Sequence, residues 1–310
     1  MAYRFEKIAD SNLTDLKIIY KTVFGKKYDD EEILKKFDTR YLGVTHFGYI
    51  AYYQNKPVAF HGAIPVQMKY KNQVELAAQY GDAMTVKAHV GKGLFTKLGK
   101  LTDAQLESNG IQFVWGFPNQ NSEYGYLNNL NWKYYESIKG YKIKTTAFPF
   151  EKLARKIKFT SILYDTTILK AFSKFQTDKI ISGSVFLNDD AVSIHRNDAY
   201  YRYKTFSNNF TIEINETLFW IKINNGLLVG DVQIQTLEKF DVALQTLKEI
   251  AAKTGIKEIV FQASPNTLLS HIMEPRALEK FDSWKVGFKN FNSNFPLKNL
   301  KFTFGDLDTF

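Results

Sequence analysis

The chain lacks cysteine altogether, contains only seven prolines in 310 residues, and has no long apolar run. Without cysteine there is no disulfide framework, thiolate metal site or cysteine nucleophile, and a reducing, cytoplasmic location is the simplest expectation. No stretch approaches the roughly eighteen apolar residues that a membrane-spanning helix needs. The first residues also lack the apolar region of a signal peptide. We therefore expect a protein that folds without inserting into a membrane.

Positive charge and aromatic side chains are plentiful instead. The formal net charge is +9, and aromatic residues make up 15% of the chain. A positive balance favours anionic partners such as a phosphorylated cofactor, nucleic acid or a membrane surface, although a lysine-rich composition by itself produces the same charge. The histidines show no metal-ligand spacing, so we predict no metal site; they are His46, His61, His89, His195 and His271.

The first half of the chain alternates between helical and strand patterns. The predicted elements are helices near 11–24 and 29–37, strands near 47–53, 57–70 and 74–86, a helix at 94–108, a buried strand at 111–117, a short helix at 122–130 and a strand at 132–138. A strand, a crossover helix and a second strand form a right-handed parallel pair. The pattern therefore predicts an α/β fold with a mixed sheet, and ligands tend to bind where such a sheet splays.

A glycine-lysine-glycine turn separates the third strand from the crossover helix. Backbone N–H groups in the first turn of a helix have no partner within the helix, and the helix dipole adds partial positive charge there. Gly91 and Gly93 have no Cβ to keep a phosphate away from the main chain. The segment has neither the spacing of a P-loop nor the third glycine of a dinucleotide fingerprint. It predicts a phosphate or pyrophosphate site, unless the glycines only permit a tight turn.

The second half repeats the order of elements after a basic connector. Lysines and arginines interrupt apolar residues through 141–179, with an amphipathic helix near 161–175. Asn109-Gly-Ile-Gln-Phe-Val-Trp-Gly-Phe-Pro-Asn119 resembles Thr254-Gly-Ile-Lys-Glu-Ile-Val-Phe-Gln-Ala-Ser-Pro-Asn266 at the same place in both halves, which indicates an internal duplication. The second copy lacks the glycine turn. We predict domains at 1–145 and 181–310, a connector at 146–180, and a cofactor site in the first domain alone.

Val90-Gly-Lys-Gly-Leu-Phe95 and Gly116-Phe-Pro-Asn-Gln-Asn-Ser122 resemble the GCN5-related N-acetyltransferase (GNAT) superfamily. The resemblance covers residues 1–140 well, and the rest looks like a degenerate second copy. It implies two tandem acyl-CoA N-acyltransferase folds packed together, with acetyl-CoA bound at a splayed strand pair. The family signature begins with arginine or glutamine three residues before the first glycine. Here that position is Ala88, and Val90 stands where arginine is also usual.

The resemblance also implies which residues meet the cofactor. The strand before the glycine turn would pair with the pantetheine, and the N–H groups of the turn would meet the pyrophosphate. Asparagine at the end of the second strand often touches the pantetheine in the family, although here it equally suits a helix N-cap. The implied binding residues are Met84, Thr85, Val86, Gly91, Lys92, Gly93, Leu94 and Asn119.

Acetyl transfer to an amine also needs a proton acceptor for the amine and a proton donor for the departing thiolate. In the family, a tyrosine four residues before a glycine supplies the proton; that position is Leu127 here, so we select the neighbouring Tyr124. Asp82, in the strand before the glycine turn, is the candidate base or amine ligand. Glu75, Glu123 and His61 are weaker candidates.

We expect an acetyl-CoA-dependent N-acyltransferase that moves an acetyl group directly to a primary amine of a small molecule or peptide. One alternative is a binding or scaffold protein with an inactive acetyltransferase fold, because signature residues are missing. Another is an aminoacyl-tRNA-dependent peptidyl transferase, which the net charge suits but the glycine turn disfavours. Nucleic acid is therefore not the favoured partner, and the acceptor, the acyl length and the oligomeric state are left open.

Overall fold

The computed structural model describes residues 2–25, 27–145, 148, 150–154, 158–185 and 190–310, with only the backbone of 152 and 158–163. Part of the predicted connector therefore lies outside the described residues. The chain forms two compact units: Met1–Glu136 with Val192–His195 and Trp284–Leu300, and Ser137–Ala191 with Arg196–Ser283 and Lys301–Phe310. None of the helices in the described ranges is both long and apolar enough to cross a bilayer.

The strands are β1 (Arg4–Lys7), β2 (Phe47–Tyr53), β3 (Lys56–Tyr70), β4 (Gln73–Thr85), β5 (Phe113–Gly116), β6 (Lys133–Lys144), β7 (Ser193–Ile194), β8 (Asn209–Ile214), β9 (Thr217–Ile223), β10 (Leu227–Gln233), β11 (Glu258–Ala263) and β12 (Glu279–Asn290). The α-helices are α1 (Leu16–Phe24), α2 (Asp30–Phe37), α3 (Leu94–Ser108), α4 (Phe150–Ala154), α5 (Lys158–Ser173), α6 (Asp198–Lys204), α7 (Leu237–Lys253) and α8 (Leu268–Met273). Short 3-10 turns join several of them.

The first unit is built on a mixed sheet in the order β1-β2-β3-β4-β5-β12. All neighbours in it are antiparallel except β4 and β5, which are parallel as the crossover pattern predicts. Helices cover both faces: Leu94 and Leu98 of α3 pack with Ala59, whereas Phe37 of α2 packs edge-on against Phe60. Ala59 and Phe60 are consecutive strand residues and point to opposite faces, so α2 and α3 lie on opposite sides of the sheet.

Two parts of this sheet were not predicted from the sequence. β12 returns from late in the chain to pair with β5, from Gly287 opposite Gly116 to Asn290 opposite Phe113. Its side chains are largely exposed at the start and buried only near its end, so its apolar period is weak. The edge strand β1 is only four residues long, too short for a clear alternation.

The second unit contains the order β6-β11-β10-β9-β8, with β10 and β11 parallel and the other neighbours antiparallel. An antiparallel run, a helix (α7) and a parallel strand therefore follow one another here as in the first unit. Gly110 after α3 and Gly255 after α7 both adopt a left-handed conformation, with φ of 79° and 76°. These similarities support the predicted duplication, which stays a prediction.

Candidate functional site

The first unit opens where β4 and β5 part. The two strands pair from Ala78 opposite Val114 to Tyr80 opposite Gly116, and there the pairing ends. β4 continues to Thr85, bonded to β3 on its other side, while β5 stops at Gly116. The edge of β4 that includes Met84 and Thr85 therefore has no strand beside it in the described part of the chain. We call this opening the first splay.

A buried polar group fixes the vertex of the first splay. The Tyr80 hydroxyl donates to Asp103 of α3, and Lys289 of β12 donates to the other carboxylate oxygen at 2.8 Å. Burial raises the pKa of Asp103, and the hydrogen bonds from Lys289 and Tyr80 oppose that shift. Removal of any one member would leave a buried polar group without its partner, which is costly. The group joins α3, β4 and β12 where the strands diverge.

The glycine turn lies at the far end of this edge. Gly91 and Gly93 have φ of 77° and 74°, and a Cβ on either would meet only open space. Gly93 is the N-cap of α3 and provides no side-chain cap. No group in the described ranges accepts a hydrogen bond from the N–H groups of Gly91, Lys92, Gly93 and Leu94. These N–H groups are available to a pyrophosphate, and the residues present fit one.

In the second unit, α7 occupies the place of α3, and its N-terminus carries a side-chain cap. The Thr236 hydroxyl accepts from the N–H of Lys239 at 3.2 Å and caps α7. The capped start agrees with the prediction that the second unit has no glycine turn.

Asp82 lies in a bulge of β4 beside the first splay. Two residues of β4, Asp82 and Ala83, face the single residue His61 of β3, and Asp82 has a left-handed φ of 57°. The bulge places its carboxylate against two buried side chains: the Tyr20 hydroxyl donates to Oδ2 at 2.5 Å, and Lys36 forms an ion pair with the same oxygen. Burial, with the nearby Asp82 charge, raises the pKa of Tyr20, so its hydroxyl keeps its proton. Oδ1 has no hydrogen-bond partner among the described residues.

The sequence did not predict that Lys36 and Tyr20 would contact Asp82. Lys36 follows the acidic start of α2, where a lysine normally predicts a solvated helix face, yet only 7% of its side chain is exposed. Tyr20 belongs to the apolar face of α1, which predicts a packing role. Only the tertiary fold brings these residues to one carboxylate.

Asn119 closes the turn after β5. Its Oδ1 accepts from the N–H groups of Asn121 and Ser122 at 2.9 and 3.2 Å. Asn119 therefore has the capping role that the sequence analysis gave as its alternative. The side-chain amide nitrogen has no partner within the described ranges.

Tyr124 precedes a π-helical turn, Gly125–Asn129, instead of lying inside an α-helix. Its side chain is 71% exposed, while Tyr126 is buried. The Tyr126 ring packs 5.0 Å from that of Phe95 in the first turn of α3, and its hydroxyl lies 3.3 Å from Nε2 of His61. The wide turn thus directs one tyrosine inwards and leaves the other at the surface.

His89 contacts the side chains of two tyrosines directly before the glycine turn. Its Nδ1 lies 2.9 Å from the Tyr3 hydroxyl, and its ring packs against those of Tyr3 and Tyr53. A lone histidine in a turn is usually solvated, so the sequence had not singled it out. The described residues contain no cluster of three histidine or carboxylate side chains that could hold a metal ion.

The second unit also has parallel strands that diverge, and this second splay is filled. Pairing of β10 with β11 ends at Val229 opposite Phe261. Beyond it, Thr303 bridges Ala263 of β11, and a Cβ on Gly230 of β10 would come within 2.5 Å of the Phe310 ring. The segment 302–310 therefore lies along both diverging strands.

A buried arginine secures that segment. Arg196 forms ion pairs with Asp231 of β10 and with Asp306 of the segment, and all three side chains are at most 1% exposed. Arg196 also donates to the Thr303 hydroxyl at 2.8 Å. Loss of one partner from such a group is strongly destabilising, so the segment is firmly held.

Comparisons with known proteins agree with this geometry. The family model described as an acetyltransferase (GNAT) domain matches residues 4–135. A GCN5-related N-acetyltransferase from Kribbella flavida has 12% identity and a TM-score of 0.57, over 93% of this chain and 72% of that one. One from Anabaena variabilis has 12% identity and a TM-score of 0.56, over 93% and 73%. Eis1 from Mycobacterium abscessus has 10% identity and a TM-score of 0.55, over 98% and 82%.

No sequence among curated proteins matches the chain significantly. The structural likenesses show the fold, and the family model covers the residues that build the first splay and the glycine turn. Residues 4–135 of this chain therefore match the acetyltransferase domain of the GCN5-related N-acetyltransferase (GNAT) superfamily.

Proposed function

We propose that this protein is an acetyl-CoA-dependent N-acyltransferase that acts on a primary amine of a small molecule or peptide. The observation that carries the proposal is the open first splay, which leads to a glycine turn with unpartnered N–H groups. GNAT domains generally transfer an acyl group to an amine, and this chain retains the backbone features that such a transfer needs. A cytoplasmic location stays a prediction.

The backbone would contribute most of the cofactor contacts. The free edge of β4 at Met84 and Thr85 offers hydrogen-bonding groups to the amides of the pantetheine. Val86, also expected from the sequence to meet the cofactor, instead donates its N–H to Val58 and accepts from the N–H of His89. The N–H groups of Gly91, Lys92, Gly93 and Leu94 would hold the pyrophosphate, with partial positive charge from α3 and the exposed Lys92 beside them. Asn119 would contact the pantetheine through its free amide nitrogen.

Two side chains would transfer protons, one as an acceptor and the other as a donor. Asp82 Oδ1 would accept a proton from the acceptor amine, while Lys36 and Tyr20 hold the other oxygen and fix the carboxylate. As the amine nitrogen attacks the thioester carbonyl and the carbon–sulfur bond breaks, Tyr124 would donate a proton to the departing thiolate. Coenzyme A would carry the acyl group as a thioester.

Calorimetry with acetyl-CoA, followed by detection of thiol release over a panel of amines, tests the proposal. We expect binding of acetyl-CoA and release of coenzyme A that depends on the amine. Tyr124→Phe should bind acetyl-CoA as the wild type does and lower kcat on the order of a hundredfold, the usual contribution of a general acid.

Tyr126→Phe is the matched control, because Tyr126 is buried beside His61 and takes no part in the proposed transfer. No binding at millimolar acetyl-CoA would exclude the proposed function. Binding without thiol release from any amine would instead support a binding or scaffold role, which the absence of the signature arginines favours.

A further inference from the structure

A three-ring cluster adjoins the glycine turn of the first unit. It consists of Tyr3, Tyr53 and His89, whose ring centroids lie 5.2 to 5.7 Å apart. Each ring is half-buried, and the two tyrosines pack on the core that also contains Leu94 of α3. The cluster therefore holds His89 in place two residues before Gly91.

The contact with Tyr3 restricts the imidazole further. The Tyr3 hydroxyl lies 2.9 Å from Nδ1 of His89. When the hydroxyl donates to Nδ1, the neutral imidazole carries its hydrogen on Nε2, because one ring nitrogen accepts while the other donates. Nε2 has no hydrogen-bond partner in the described part of the chain. In that tautomer, His89 presents an oriented N–H donor.

The sequence around the turn indicates what this donor would meet. The resemblance implies a side-chain contact to the phosphates from the arginine or glutamine of the signature, at the position of Ala88, and here no arginine stands at 88 or 90. The four unpartnered backbone N–H groups of the turn fit an anion but lack that side-chain donor. His89 lies between the two positions and presents a donor of its own.

We propose that His89 replaces the missing signature arginine as the side-chain contact to the pyrophosphate of coenzyme A. In this arrangement Tyr3 is a positioning residue, which donates to Nδ1 and keeps the hydrogen on Nε2. The inference rests on the proposed function, because it names a further residue of the same cofactor site. A purely structural cluster would anchor the segment before β1 to the turn and would not affect ligand affinity.

Calorimetry with coenzyme A on four variants distinguishes these roles. His89→Ala should weaken binding about tenfold to a hundredfold, the range for one hydrogen bond to a charged group. Tyr3→Phe should weaken it less, and the nitrogen chemical shifts of His89 should show a change of tautomer. Ala88→Arg in the His89→Ala background should restore affinity, because Ala88 is exposed and leaves room for the longer side chain. His195→Ala, a change directly after β7, should have no effect.

Thermal unfolding of each variant monitors the structural contribution, and His89→Gln keeps a side-chain donor if the alanine variant folds poorly. Unchanged affinity in a folded His89→Ala protein would overturn the inference and leave the proposed function intact. Failure of Ala88→Arg to restore affinity would also contradict it. No binding of coenzyme A by the wild type would overturn both.

Discussion

At the scale of single residues, the first unit contains a histidine that the fold keeps neutral. His61 is 1% exposed and is surrounded by the rings of Tyr80, Phe95 and Tyr126. Burial lowers its pKa to about 3. Its Nδ1 has no hydrogen-bond partner in the described structure. A neutral histidine in this position packs as an aromatic side chain, and a proton on it would have no compensation.

The burial of His61 predicts that the free energy of unfolding decreases as the pH falls. An unfolded histidine has a pKa near ~6.5, well above that of folded His61, so the unfolded state binds the proton first. The contribution of His61 to the free energy of unfolding is complete above pH 6.5 and declines as the pH falls towards 3. Between pH 7.5 and 5 the loss is about 2 kcal/mol.

Urea unfolding at several pH values checks this for the wild type and for His61→Gln, which cannot titrate. The difference in unfolding free energy between the two proteins should shift by that amount in favour of the variant at pH 5. Curves that stay parallel from pH 7.5 to 5 would show that His61 is protonated in the folded protein.

At the scale of elements, α3 has a glycine with positive φ at each end. Gly93 starts the helix with φ of 74°, and Gly110 follows it with φ of 79°; a Cβ on either would meet open space. Alanine at either position would therefore have room for its methyl group, but it would have to adopt the same unfavourable left-handed backbone conformation. The same substitution at the two ends separates the conformational cost from the binding role.

Gly93→Ala and Gly110→Ala should each lower the free energy of unfolding by about 1–2 kcal/mol, the cost of the left-handed conformation for an L-residue. Only Gly93→Ala should also weaken acetyl-CoA binding, because relief of the strain turns the N–H groups of the turn away from the ligand. Denaturant unfolding and calorimetry measure the two effects. Equal losses of affinity in both variants would place the pyrophosphate elsewhere.

At the scale of the whole molecule, the described parts of the two units contain one open splay. In the first unit the edge of β4 is free and the N-terminus of α3 is uncapped. In the second, segment 302–310 lies along β10 and β11, Arg196 secures it, and Thr236 caps α7. In its described residues, the second unit therefore offers a cofactor neither an open splay nor a glycine turn at the start of its crossover helix.

We therefore expect one molecule of coenzyme A per chain. Calorimetry at concentrations well above the dissociation constant gives the stoichiometry, and protection of amide hydrogens should appear at β4 and the start of α3. A stoichiometry of two, or protection along β10, would show that a ligand displaces segment 302–310. Arg196→Met should not create a second site, because it leaves two buried carboxylates unpaired and destabilises the unit instead.

The sequence alone determined the elements with strong local signals. The apolar period of α3 and the glycines at its ends predicted Leu94–Ser108 as it stands, and the crossover pattern predicted the parallel pair β4 and β5. The position and glycine content of the turn followed from the same local pattern, since helix ends and turns depend on neighbouring residues.

The tertiary structure decided the rest, because contacts between distant residues leave no local pattern. Lys36 and Tyr20 come to Asp82 only through the bulge in β4. β12 joins β5 from late in the chain, and segment 302–310 fills the second splay. At the glycine turn, the sequence determined an uncapped helix start, and folding alone placed Tyr3 beside His89.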